Sequence, residues 1–193
     1  MRIISGTERG RKLLSPKSRS KKSSAGGPIR PTSDLVREAI FNIIGQAAVR
    51  GPVLDLFAGT GALGLEALSR GAEAACFIDK SSQAITIINK NIKLCGFADR
   101  TQVIKRDLAR GLSFFRNSIP AGGFELIFAD PPYGKGLGAQ VLLEIEAAAA
   151  ISAGGLLVVE EMAGESMPEI TGRLKLCDQR RYGDTAVWFY RVD

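Results

Sequence analysis

From residue 52 onward, short apolar runs alternate with stretches of helical periodicity, and nothing else in the chain constrains its fold as tightly. "VLDLF" (53–57), "AACFI" (74–78), "TQVIK" (101–105), "FELIFA" (124–129) and "GLLVVE" (155–160) read as strands. Between them lie helical patterns: one through Leu63, Leu65, Ala67 and Leu68, one over 81–95, and an Ala-rich one near 139–150. Such alternation belongs to a parallel sheet covered on both faces, because parallel neighbours need crossovers and the crossover helices pack on the sheet. The last segments break the pattern. "LKLCDQRRY" and "TAVWFYRV" flank the turn dipeptide Gly183-Asp184 and predict an antiparallel hairpin at one sheet edge. The expected architecture is a doubly wound α/β domain with a mostly parallel seven-stranded sheet.

The front of the chain differs. "RIISG" and "GRKLLS" read as two short strands around "TERG", a small β-hairpin. Residues 15–29, "SPKSRSKKSSAGGPI", are Ser/Lys/Gly-rich and read as a flexible link. "RPTSDLVREAIFNII" then reads as a capped helix, with Thr32 or Ser33 as N-cap and Leu35, Val36, Ala39, Ile40 and Ile43 at helical spacing. Phe41 on that helix reads as core, and no site role is assigned to it or to Arg37. Residues 1–30 hold nine Lys/Arg against Glu8 alone, whereas the remaining chain holds 17 basic and 19 acidic residues. The expected division is therefore a basic extension over 1–30 and a nearly neutral domain over 31–193. A basic block of this kind attracts a polyanion, most commonly nucleic acid; the alternative is a solvated tail that aids solubility.

Composition excludes several chemistries. There is no histidine, which removes His-based triads and most transition-metal sites. Cys76, Cys95 and Cys177 are far apart in apolar surroundings and read as reduced core thiols, so no metal and no disulfide frame is expected. No apolar run approaches the ~20 residues that cross a bilayer, and the start lacks the apolar stretch of a signal peptide. A cytoplasmic protein without membrane contact is expected, and nothing demands more than a monomer.

"DLFAGTGALG" places Gly59, Gly61 and Gly64 in G-x-G-x-x-G spacing between a strand and a helix. Glycines there allow a tight turn and close approach to a ligand, and the helix N-terminus offers free N–H groups. Asp79 closes the second strand, where a carboxylate can accept both hydroxyls of a ribose. A nicotinamide cofactor is the literal reading of the spacing. Asp55 opposes it, because a carboxylate four residues ahead of Gly59 would face an anionic pyrophosphate but suits an ammonium and a sulfonium. Asp107, just after the third strand, lies where an adenine amino group could be met; alone, it reads equally as a helix cap. S-adenosylmethionine carries ammonium, ribose and adenine in the order of these acids.

"DPPY", residues 130 to 133, ends the fourth strand at the edge where open α/β sheets bind ligands. An exocyclic amino group on a base is a poor nucleophile, since its lone pair is delocalised into the ring. Asp130 and the Pro131 carbonyl could accept its two N–H bonds, with Pro131 and Pro132 stiffening the backbone and Tyr133 offering a face for stacking. In-line displacement at a sulfonium methyl would then rest on proximity and alignment, an effect worth ~7–11 kcal/mol. A plain stiff turn is the structural alternative.

"VLDLFAGTGALGLEALSRGA", "FIDK" and "DPPY" resemble the class I S-adenosylmethionine-dependent amino-methyltransferases, which are Rossmann-like. "MRIISGTERGRKL", "RPTSDLVREAIFNII" and the tail "RRYGDTAVWFYR" resemble the bacterial 16S rRNA guanine-N2 methyltransferase family, and the resemblance covers nearly the whole chain. "DPPY" alone also fits adenine-N6 or glutamine-N5 enzymes. The resemblance implies that Asp55 and the Gly59-Thr60-Gly61 loop hold the methionine end, Asp79 the ribose and Asp107 the adenine edge. It implies that Asp130, Pro131, Pro132 and Tyr133 face a flipped guanine, with Arg2, Arg9, Arg11 and Lys12 on RNA phosphates. Stretch 15–29 is longer than the family's usual link. Salt-sensitive RNA binding, with a slope near −0.7 per phosphate and mostly lost on deleting residues 1–22, is the corresponding expectation. An RNA-binding assembly factor with a dead cofactor pocket is the rival from another class.

Overall fold

The computed structural model describes residues 1–16, 34–45, 49–134 and 136–193. Five strands form the parallel part: β1 (Val53–Leu56), β2 (Ala75–Asp79), β3 (Thr101–Lys105), β4 (Phe124–Ala129) and β5 (Ile151–Met162). β6 (Ile170–Thr171), β7 (Leu174–Tyr182) and β8 (Thr185–Val192) follow, and the helices are α1 (Asp34–Ile44), α2 (Ala62–Arg70), α3 (Ser82–Cys95) and α4 (Leu137–Ala147). All eight strands lie in one sheet, in the order β3-β2-β1-β4-β5-β8-β7-β6. β1 pairs in parallel with both β2 and β4, so the winding reverses there and opens a crevice at the carboxyl ends of these strands.

The two faces follow from side-chain alternation. Leu54, Leu56, Ile127 and Ala129 pack with Val141, Leu142 and Ile145 of α4. Val53, Leu126 and Phe128 point the other way, into a core built with α1, α2 and α3. Asp55 alternates with its leucine neighbours, so its carboxylate enters the α2 side. β8 pairs antiparallel with both β5 and β7, and Gly183 (φ 62°) opens the two-residue turn between β7 and β8.

Several details differ from the sequence expectation. The sheet has eight strands rather than seven, because the two-residue β6 is too short to show a period. β1 stops at Leu56, since Phe57 adopts φ 58°. β5 begins at Ile151 rather than Gly155, and α4 begins at Leu137, directly after Gly136 at φ 63°. Cys76 and Cys95 are buried, but Cys177 is exposed, which corrects its reading as a core thiol. A register shift between Leu176 and Asp178 leaves Cys177 without a ladder partner on β8.

The N-terminal hairpin forms with a single antiparallel bridge, Arg2 to Lys12, reinforced by Ile3 N–H donating to the Arg11 carbonyl at 2.9 Å. Its inner residues Ile3 and Leu13 are buried in the α1–α3 core. The expected Thr32 or Ser33 cap, most of the 15–29 link and the 30/31 boundary lie outside the described residues. Among the described residues, no helix is long and apolar enough to cross a membrane.

Candidate active site

The glycine loop is tied to the strand ends by carboxylates. Gly59, at φ 56°, donates its N–H to Asp79 Oδ2 at 2.9 Å, and Ser81 N–H reaches Asp79 Oδ1 at 2.7 Å. Asp55 Oδ2 accepts the Gly64 N–H at 2.9 Å, inside the first turn of α2. A Cβ on Gly64 would stand 2.4 Å from the Phe77 ring and 3.2 Å from Asp55, so the third glycine is there for close helix–strand packing. Phe57 precedes the loop in a left-handed conformation that costs a non-glycine residue on the order of 1 kcal/mol. The Ala58 N–H on the Ile78 carbonyl, at 3.1 Å, helps hold that bend. Nothing in the sequence signals a positive φ at a phenylalanine.

Asp55 is 2% exposed, and burial pushes its carboxyl up to about 8, against the Gly64 hydrogen bond and with the Asp79 charge adding to the rise. Near neutral pH this carboxyl is therefore largely protonated. Asp107 caps the short 3₁₀ turn Leu108–Arg110, with Oδ1 accepting from Ala109 N–H at 3.2 Å and lying 4.0 Å from Lys80 Nζ. The cap is therefore real, and it leaves the carboxylate at the end of β3. Asp55, Asp79 and Asp107 supply acceptors for an ammonium, a diol and an amino edge in that order, which fits S-adenosylmethionine better than a pyrophosphate.

Asp130 follows β4 beside the end of β1, its N–H 3.5 Å from the Leu56 carbonyl. Pro131 is buried and Pro132 exposed. Tyr133 is 40% exposed, yet its hydroxyl is fixed: it donates to Glu160 Oε1 at 2.8 Å and lies 3.2 Å from Thr185 Oγ1. Burial, with the Glu160 and Asp130 charges adding, raises the Tyr133 phenol well above its ordinary range, so it stays a neutral donor. Glu160 and Thr185 are both buried and were not among the sequence candidates. A signal for Glu160 does exist: "LLVVE", like "LIFAD", is an apolar run ending in an acid, and the register pairs Ala129 with Val159.

Arg2, Arg9, Arg11 and Lys12 are exposed on the hairpin, with Arg11 paired to Glu8 at 2.9 Å. Lys17, Arg19, Lys21, Lys22 and Arg30 lie outside the described residues. The hairpin is clasped from below. Glu66, fully buried, accepts Ile4 N–H at 2.7 Å, Ser5 N–H at 3.0 Å and Arg70 Nε at 2.7 Å, with Arg37 Nε 3.7 Å away. The Asn91 side chain accepts Leu14 N–H at 2.7 Å and donates to the Thr60 carbonyl at 2.9 Å, joining the hairpin to the glycine loop. Arg37 and Phe41 are both buried, Arg37 donating to the Arg2 carbonyl and to Asp34. Thus Asp79 holds Gly59 and Asp55 holds Gly64 at the two ends of the glycine loop, Gly61 opens α2, and Thr60 links the loop to the hairpin. Asp107 stands at the β3 end, and Asp130 to Tyr133 follow β4 on the other side of β1. Among the described residues no group of His, Cys, Asp and Glu could hold a metal ion.

The model of the family described as conserved hypothetical protein 95 matches residues 1–191. The chain belongs to that family. The chain is 38% identical to the Bacillus subtilis protein named "Putative rRNA methyltransferase YlbH", covering 99% of this chain and 98% of that one. It is 32% identical to the Escherichia coli "Ribosomal RNA small subunit methyltransferase D", over 99% of this chain and 89% of that one. The solved structure titled "Putative methyltransferase yhhF from Escherichia coli" superposes with a TM-score of 0.80 at 30% identity, over 100% of this chain and 98% of that one. The resemblance carried by the glycine loop, the Asp-Pro-Pro-Tyr segment and the two N-terminal segments is borne out, and so is the Rossmann-like α/β fold.

Proposed function

We propose that this protein transfers a methyl group from S-adenosylmethionine to the exocyclic N2 amino group of a guanine in 16S rRNA. The observation that carries this reading is the placement of Asp130 and a hydroxyl-anchored Tyr133 at the switch point, one strand from the glycine loop, in a chain whose full-length relatives are named as rRNA methyltransferases. The cofactor, when bound, supplies a methyl group made electrophilic by its sulfonium. Asp55 and the Gly59–Gly61 loop hold its methionine end, Asp79 its ribose and Asp107 its adenine edge. Asp130 and the Pro131 carbonyl accept the two N–H bonds of the flipped guanine, orienting the nitrogen lone pair and giving its extra proton a neighbouring acceptor after transfer. Tyr133, held by Glu160 and Thr185, presents a fixed ring for stacking, so the base meets an ordered platform. The hairpin cations Arg2, Arg9, Arg11 and Lys12 engage phosphates, while residues 31–193 form the methyltransferase domain. The protein works in this reading as a cytoplasmic monomer.

The test is transfer of labelled methyl from S-adenosylmethionine to small ribosomal subunits lacking the modification, to their naked rRNA and to duplex DNA, with Asp130→Ala in parallel. Label in an rRNA guanine that disappears in the variant is expected. Label confined to DNA, or none despite cofactor binding, overturns the substrate.

A further inference from the structure

A second basic surface lies at the carboxyl ends of β2 and β3, apart from the hairpin. Lys80, Lys105, Arg106, Asp107 and Arg110 line an open depression of about 370 Å³. Four cations face a single carboxylate there. Asp107 is 4.0 Å from Lys80, whose side chain remains 58% exposed, and Lys105, Arg106 and Arg110 are all exposed. Arg106 is not a loose side chain. Its guanidinium sits 4.9 Å from the Phe114 ring centroid, and its backbone N–H donates to the Asp79 carbonyl at 2.9 Å. A guanidinium stacked on a ring keeps its fork oriented and loses little freedom when it meets a phosphate.

We infer that this depression is a second RNA contact, holding phosphates of the strand that carries the target base; the inference rests on the rRNA reading above. Charge argues for the occupant. S-adenosylmethionine has no phosphate, and its adenine end, assigned to Asp107, is neutral, so this excess of cations is not accounted for by the cofactor and suits a polyanion. Position argues for the same strand. β3 and β4 are separated by β2 and β1, so the depression and Asp130 stand three strand spacings, roughly 14 Å, apart along one sheet edge. That is a span of a few nucleotides. The hairpin rests on α2 and α3, the crossovers of the same half of the sheet, so the two basic surfaces flank one path leading to the β1–β4 crevice.

The test uses the full chain and protein-free 16S rRNA. The variants are Lys105→Gln/Arg106→Gln/Arg110→Gln and the double Lys105→Gln/Arg110→Gln, which keeps the Arg106–Phe114 contact should the triple fail to fold. Asp107 stays intact because it is assigned to the cofactor's adenine edge, and Lys80 because it lies 4.0 Å from Asp107. RNA affinity is measured against salt by fluorescence anisotropy, S-adenosylmethionine affinity by calorimetry, and methyl transfer by label. The slope of log K against log salt should shrink by about 2 in the triple and by about 1.4 in the double, with RNA affinity at least about tenfold weaker in the triple at 0.1 M salt. Cofactor affinity should stay within about twofold. An unaltered slope in a wild-type-folded variant, with wild-type transfer to rRNA intact, overturns the contact alone. Weakened cofactor binding with RNA binding unchanged also overturns it and gives the surface to the cofactor site. Absence of both rRNA binding and transfer in the wild type overturns the rRNA reading itself.

Discussion

Cofactor affinity should depend steeply on pH through Asp55. This carboxyl is buried in the α2 side of the sheet, and its pKa is raised from 3.8 to about 8, first by desolvation and secondarily by Asp79, while the Gly64 N–H works in the opposite direction. At pH 6 such a group is ionised in roughly one molecule in a hundred. If the ligand ammonium binds only the ionised form, the association constant rises about eight- to tenfold per pH unit, or about 75-fold between pH 5.5 and 7.5, and close to one proton is released per ligand bound at pH 7. The window stops at 7.5 because an α-amino group itself titrates near 8. Calorimetry in two buffers of different ionisation enthalpy reads both quantities, and Asp55→Asn should flatten the profile. The stability consequence has the opposite sign. A raised folded-state pKa stabilises the fold fully below about 3.8, and that contribution is lost as pH rises through about 8. Asp55→Asn without ligand should therefore melt higher than the parent at pH 8. An association constant that varies less than about threefold across the window, with no buffer-dependent heat, would refute the assignment of Asp55 to the ammonium.

Two further outcomes concern the scaffold of the site. Glu66→Ala leaves the amide N–H groups of Ile4 and Ser5 without their acceptor and removes the buried counter-charge of Arg37 and Arg70. It leaves Arg37 only Asp34 and the Arg2 carbonyl, and should cost about 3–5 kcal/mol. Thermal unfolding should show a fall in Tm on the order of 10 °C, and a change under about 2 °C would mean the clasp is not what holds the hairpin. Gly64→Ala drives a methyl into the Phe77 ring and should lower stability by about 1–3 kcal/mol despite alanine's better helix propensity. An unchanged Tm together with unchanged cofactor affinity would show that the ring gives way without consequence.

The central strands β1 and β4 are legible in the sequence because strands buried on both faces read as apolar runs, and the half-exposed edge strand β3 shows through its β-branched residues. "VLDLF", "TQVIK" and "FELIFA" fall within a residue of β1, β3 and β4. The acids at their carboxyl ends are legible for the same reason: a charge that terminates an apolar run needs a cause. Glu160 ends such a run too, but its relation to Tyr133 depends on the β4–β5 register, and Thr185 depends on β8 returning beside β5. Those are tertiary facts. The bend at Phe57 is backbone strain imposed by the surrounding bonds, which no residue preference announces. The hairpin was legible as a basic element, yet charge conceals that Ile3 and Leu13 belong to the core. Deleting residues 1–22 would therefore open the α1–α3 core as well as remove phosphate contacts, so neutralising Arg2, Arg9 and Lys12 is the cleaner way to separate them.

The Asn91 bridge also has a bearing on how the chain is made. Its bonds to Leu14 span 77 positions and those from Glu66 to Ile4 and Ser5 span about 62, so the hairpin over residues 1–14 has no seat until α2 and α3 exist. Closing so long a loop delays docking, and Ile3 and Leu13 stay uncovered meanwhile. The hairpin is thus among the last parts to settle. With Met1 Sδ 3.3 Å from the Thr60 hydroxyl, that late arrival completes the wall behind the glycine loop.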